Sequence, residues 1–251
     1  MTLTSTSPKT NSLRHQHCFV WVVAVFMLLP TSGVLAQEYR FEYGAQVGIS
    51  SYLGDANPKI PFSPMGGAIE FSWRYNHNFR TAFSAHVGYA LLPINSSITK
   101  NTFPNVTVPV RSTSHFIHTQ LLAEYNFAHY SDKFAYLKTQ RLVSYILGGM
   151  DIGFVPAKHK THFVPGVTLG FGIKYKIRNR LNLLATLQGF HYFSDALDAP
   201  DQSSAWLQNP YRTASGFLKG GDGRIAFSLG LTYEFGLNKK TCHNNTNAQN
   251  K

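Results

Sequence analysis

The chain has almost no cysteine, no apolar run long enough to cross a bilayer as a helix, and few acids. Its two cysteines are Cys18 and Cys242. Cys18 falls in a segment expected to be removed, so no intramolecular disulfide can form and a zinc site built on several thiolates is excluded. The longest apolar run, Phe19 to Pro30, has twelve residues, short of the ~17–25 that a spanning helix needs. Asp and Glu total 12 against 23 Lys and Arg, a net charge of +11. Such a balance suits nucleic acid or an acidic partner, but the export signal described next excludes nucleic acid.

Residues 1–36 are read as a cleaved signal. Their polar start carries Lys9 and Arg14, the apolar run follows, and Val34-Leu35-Ala36 puts small residues where a signal peptidase reads. Residues 37–238 are then the structural domain, and 239–251 a polar periplasmic tail.

What is abundant is aromatic and small: 19 Phe, 13 Tyr and 20 Gly. They fall in segments of period two, the spacing that sends alternate side chains to opposite faces of a strand. The hairpin from Val164 to Asp198 shows it best. Val167, Leu169, Phe171, Ile173, Tyr175 and Ile177 alternate with Thr168, Gly170, Gly172, Lys174 and Lys176. Arg178-Asn179-Arg180 turns the chain, and Leu183, Ala185 and Leu187 then alternate with Asn182, Thr186 and Gln188. The first arm has about eleven residues, twice the modal strand length in soluble proteins and the length that crosses a bilayer at a tilt.

Further strands are expected near Arg40–Ser50, Gly66–Tyr75, Phe79–Leu91, Ser114–Phe127, Arg141–Phe154 and Arg224–Phe235. The segment VSYILGGMDIGF is apolar on both faces and the least patterned. Connections alternate long and short, with a loop expected over Val155–Phe163. Long external loops and short periplasmic turns are the habit of outer-membrane barrels. The expected fold is all-β: an eight-stranded antiparallel transmembrane barrel in the cell outer membrane, with lipid against its apolar face. A soluble lipocalin-like barrel would instead carry its apolar residues inside, and here the other face is rich in Gly, Ala and Ser.

An eight-stranded bore has room only for its own side chains, so a filled interior is expected. On this register Glu42, Glu70, Glu124 and Glu234 face inward with Arg74, Arg80, Lys174 and Lys176, four of each sign to pair as buried charges must. Asp55, Asp151, Asp195, Asp198, Asp201 and Asp222 are assigned to external loops, and Asp195, Asp198 and Asp201 are read as solvated acids in preference to a Ca²⁺ site. The periplasmic end is basic, with Arg178, Arg180, Lys133 and Lys138 as candidate contacts for an acidic partner. His115 with His118, and His159 with His162, have ligand-like spacing but no third ligand. No cofactor, metal or enzymatic activity is expected. His191-Tyr192-Phe193-Ser194 differs in spacing from the His-x-Ser-Asn motif of lipid A deacylase barrels.

Several segments resemble a family of small outer-membrane barrels of the Bacteroidetes that includes the PorG-type component of type IX secretion. These are SYLGD with Asn57 and Pro58 (Ser51 to Pro58), GIKYKIRNRLNL (Gly172 to Leu183), FSDALD (Phe193 to Asp198), and KGGDG with FSLGLTYEF (Lys219 to Phe235). The family-motif loop residues are Gly54, Asp55, Asp195 and Asp198. The chain departs from the pattern at Ala196 and Ala199, and has Gly223-Arg224-Ile225 where an Asp-Trp-Tyr-like run is usual. The resemblance implies a non-enzymatic barrel that contacts a periplasmic lipoprotein or secretion-ring component. The alternative is a stand-alone barrel serving envelope stability or binding external ligands through its loops.

Overall fold

A computed structural model describes residues 39–54, 61–95, 111–130, 140–157, 161–194, 197 and 221–237. The expected signal segment, the tail with Cys242, Lys133, Lys138, Asp55, Asp195, Asp198, Asp201 and His159 lie outside the described residues. The strands are β1 (Tyr39–Leu53), β2 (Gly66–Asn76), β3 (Thr81–Asn95), β4 (Arg111–Asn126), β5 (Leu142–Pro156), β6 (Thr161–Arg178), β7 (Leu181–Tyr192) and β8 (Gly223–Leu237). Each pairs antiparallel with the next, and β8 returns to β1 to close the barrel. Closure leaves no unpaired edge, which is what permits a sheet to sit in hydrocarbon.

Period two decides which face each residue takes. Val47, Phe71, Val87, Leu121, Met150, Leu169 and Leu229 are exposed on the outside, while Gln46, Glu70, His86, Gln120, Asp151, Thr168 and Ser228 between them are buried. A wall with its large apolar residues outside and its polar residues inside is a wall for lipid. Aromatic rings gather at its short-turn end: Phe41 lies against Trp73, Tyr75 and Phe235, and Tyr43 against Tyr233. Rings with one apolar and one wet edge mark the membrane–water boundary. The chain is therefore an outer-membrane-type β-barrel, as the alternation predicts.

Several strands run longer than expected, β3 to Asn95 and β4 from Arg111 among them, and three differences bear on the interior and its rims. The β5–β6 ladder runs on to Pro156↔Thr161, so most of the expected loop over Val155–Phe163 is strand, and Val155 and Val164 point inward to pack in the mouth. Asp151 falls inside the expected strand Arg141–Phe154 but is grouped with the external-loop acids; it lies within β5 and is fully buried. β3 begins at Thr81, because Asn78 accepts hydrogen bonds at its Oδ1 from the Arg80 and Thr81 amides (2.8 and 2.6 Å) and holds the turn before the ladder starts.

Candidate functional site: a filled bore and a basic rim

Inside the barrel the side chains lie in three tiers. In the periplasmic half Glu42 on β1 is the hub. Arg74 on β2 meets its Oε2 at 2.9 Å, and Lys174 on β6 meets its Oε1 at 2.6 Å across the bore. Asn76 Nδ2 and Thr232 Oγ1 donate to the same carboxylate (2.8 and 3.0 Å). Arg74 also engages Glu124 at 2.9 Å, where Ser84 donates at 2.6 Å. Lys176 pairs with Glu234 at 2.7 Å, and Asn182 donates to the other oxygen of Glu234 at 2.9 Å. Tyr130 closes the tier from below: its hydroxyl donates to Asn182 at 2.7 Å, and Lys174 and Lys176 lie 4.7 and 5.2 Å from its ring centre. Charges removed from water are tolerated only in a net of this density.

The middle tier is looser. Glu70 lies 3.5 Å from His86 Nδ1 and 3.6 Å from His118 Nε2. His118 Nδ1 faces Asp151 at 3.3 Å, and Arg224 Nη1 approaches Nε2 at 3.3 Å. Gln120 Nε2 lies 3.1 Å from Nδ1, so each ring nitrogen of His118 faces one donor and one carboxylate: Gln120 and Asp151 at Nδ1, Arg224 and Glu70 at Nε2. Tyr192 donates to Asp151 at 2.5 Å, and the Arg224 guanidinium carbon lies over the Phe190 ring, 3.8 Å from its centre. A Cβ on Gly88 would sit 2.6 Å from His118 Nε2, so only glycine clears this tier.

The external mouth is apolar. Tyr52, Leu92, Ile94, Phe116, Val155, Val164, Tyr192 and Leu197 pack there as one cluster. Tyr52 donates to Asp222 Oδ1 at 2.7 Å, Asp222 Oδ2 accepts the Leu197 amide at 2.8 Å, and Ser114 donates to the Leu197 carbonyl at 2.6 Å. A Cβ on Gly54 would lie 2.8 Å from Asp222 Oδ1. Residues from SYLGD, FSDALD and KGGDG thus meet at one point and staple the mouth. Of the family-motif loop residues, only Gly54 is among those described, and it serves this packing.

Glu42, Glu70, Arg74, Glu124, Lys174, Lys176 and Glu234 are all buried in the bore. Arg80 is the correction. It precedes the β3 ladder and is exposed, with Nη1 donating to the Tyr125 hydroxyl at 3.2 Å, while the neighbouring Phe79 turns inward. At the rim the bore opens to water, so the charge turns out and the ring closes the mouth. Arg224 is the buried cation that alternation alone would have supplied, and Asp222 moves from the expected loop set to a buried position at the mouth. His115 and His118 point to opposite sides of the wall: His115 meets Tyr89 outside at 2.6 Å. Among the described residues no group of three metal-ligating side chains comes together.

The rim carries Arg178 and Arg180, both exposed, at the β6–β7 turn. Arg180 donates to Tyr233 and Tyr39 (3.2 and 3.4 Å), hydrogen bonds that raise its pKa above the ordinary value. A register shift between Lys176 and Arg178 turns Arg178 out of the alternation that buries the lysines.

The sequence matches no family model and no curated protein. Among solved structures the fold is similar to Neisserial surface protein A, with a TM-score of 0.45 and 12% identity over 78% of this chain and 97% of that one. It is also similar to OprG from Pseudomonas aeruginosa, with a TM-score of 0.44 and 7% identity over 80% and 98%. A major outer membrane protein from Thermus thermophilus gives 0.42 and 12% over 78% and 99%. These are likenesses of fold alone.

Proposed function

We propose that this barrel is a non-enzymatic anchoring component of a type IX, PorG-like protein secretion assembly, holding an acidic periplasmic lipoprotein or ring component against the outer membrane through its basic rim. The observation that carries the reading is the rim itself. Phe127–Tyr130, Gln140–Arg141 and Arg178–Arg180 present Arg141, Arg178 and Arg180 outward, and these described segments contain no acid. By sequence, Lys133 and Lys138 add to the same end, against Asp132 and Glu38. With the bore packed from mouth to mouth, the rim and the loops are the surfaces left to meet a partner. Complementary charge there sets encounter rate and orientation. The segments shared with the PorG-type barrels favour a secretion partner over another acidic protein.

The test is partner recovery. The variant Arg178→Glu with Arg180→Glu, shown to insert by heat-modifiable gel mobility, should lose co-purifying periplasmic lipoproteins and impair secretion. Unchanged recovery and secretion would sink rim docking. It would leave the stand-alone barrel, whose stapled external mouth suits a scaffold for loops.

A further inference from the structure

On the lipid face of β3, β4 and β5 the wall is thin. Ala85, Ala123 and Gly148 point outward on successive strands, joined by the pairs Phe83↔Ala123 and Ala123↔Gly148 in one row and Ala85↔Leu121 and Leu121↔Met150 in the next. Trp73, Phe83, Leu121 and Met150 stand up around these small residues and leave a trough of about 470 Å³ in the apolar surface. Two residues along β4 from Ala123, towards the periplasm, is Tyr125, whose hydroxyl receives the Arg80 guanidinium at 3.2 Å. Arg80 spends that one N–H on Tyr125, is exposed, and lies where the boundary aromatics place the edge of the hydrocarbon.

We propose that this trough and Arg80 form a binding site for one phospholipid of the inner leaflet, with an acyl chain laid over Ala85, Ala123 and Gly148 and its phosphate on the Arg80 guanidinium. A hydrocarbon chain follows an irregular apolar trough that a flat neighbour cannot fill, and a guanidinium matches phosphate with paired donors. No acid is present in the described turn segments beside it, 76–80 and 127–130, to compete for the cation. A second copy of this chain is the poorer occupant. Each copy would bring its own Arg80 and an excess of basic over acidic residues to the contact, whereas a phospholipid brings the opposite charge. The β2–β3 turn and the β6–β7 turn lie on opposite sides of an eight-stranded ring. Arg80 and Arg178/Arg180 are therefore separable, and this site does not depend on the secretion reading.

The test uses the full-length barrel in phosphatidylcholine vesicles doped with phosphatidylglycerol that carries a photoreactive group midway along one chain. After irradiation, adducts are mapped to peptides. They should concentrate on 81–90, 119–126 and 146–152. Arg80→Ala should reduce them about fivefold, the change expected for removing one cation near an anionic surface. Ala123→Leu, which fills the trough from an exposed position, should displace them without altering Arg80. A diacylglycerol with the same chain but no phosphate should label the trough weakly and ignore Arg80→Ala. Adducts spread evenly around the wall, trough labelling that Arg80→Ala leaves unchanged, equal labelling by the diacylglycerol, or trough-to-trough crosslinks between copies would each overturn the site.

Discussion

Glu42 on β1 and Lys174 on β6 meet across the bore at 2.6 Å, 132 residues apart in the chain. Neither residue is on a strand adjacent to the other's, so the contact ties opposite walls and is one reason the interior is solid. Arg74 does the same between β1 and β4, through Glu42 and Glu124.

Glu42→Gln should therefore cost more than one ordinary hydrogen bond. It leaves Lys174 and Arg74 buried beside a neutral group, and breaking a buried pair from one side costs roughly 3–5 kcal/mol. Urea unfolding in vesicles, followed by gel mobility, measures it. The double variant Glu42→Gln with Lys174→Met should recover part of that loss. Additive losses would show that the two residues do not act as a pair.

The filled bore predicts an electrically quiet protein. Reconstituted in planar bilayers, the barrel should give no steady ohmic steps, because Tyr130 and the lysines close the inner mouth and the Tyr52–Phe116–Tyr192 cluster closes the outer. Reproducible single-channel openings from the unmodified chain would contradict the packing.

Lipid contact makes a depth-dependent prediction. Leu121 and Leu169 are among the most exposed apolar residues, 62% and 74%, and lie mid-strand. Arginine at either should destabilise by about 2–4 kcal/mol, against about 0–1 for Tyr175→Arg near the short-turn end. Equal costs at both depths would argue against this membrane placement.

The stapled external mouth is tested by Tyr52→Phe, which removes the hydroxyl given to Asp222. A buried acceptor losing its donor costs about 1–3 kcal/mol, measurable by the same unfolding. No change would mean the three motif segments are not held together through this bond.

Alternation made the wall legible. Each apolar set in the Val164–Asp198 hairpin lies outside, and Lys174 and Lys176 lie inside as the period requires. Rim positions were not legible by the same rule. Arg80 has inward parity, but the ladder has not begun there, and parity has no force outside a ladder. β5 was obscured for a different reason: Val143, Tyr145 and Leu147 point inward, where Tyr145 and Leu147 pack with Leu122 and Leu184 in an apolar pocket of a mostly polar bore. That hid Asp151 among apolar neighbours and sent it to a loop. Tyr130 carried no signal, because its place under the lysines depends on a connection and on contacts with β7. The boundary aromatics were visible as composition, but their gathering at one end depends on register between strands.

The most direct test of rim docking is photo-crosslinking from the turn itself. Asn179 is exposed between Arg178 and Arg180, while Gly67, at the external end, has open space around its Cβ position. With a photoreactive residue at each position in cells, the barrel should capture an acidic periplasmic protein from position 179 and none from position 67. Capture from neither position, or equally from both, would contradict the account.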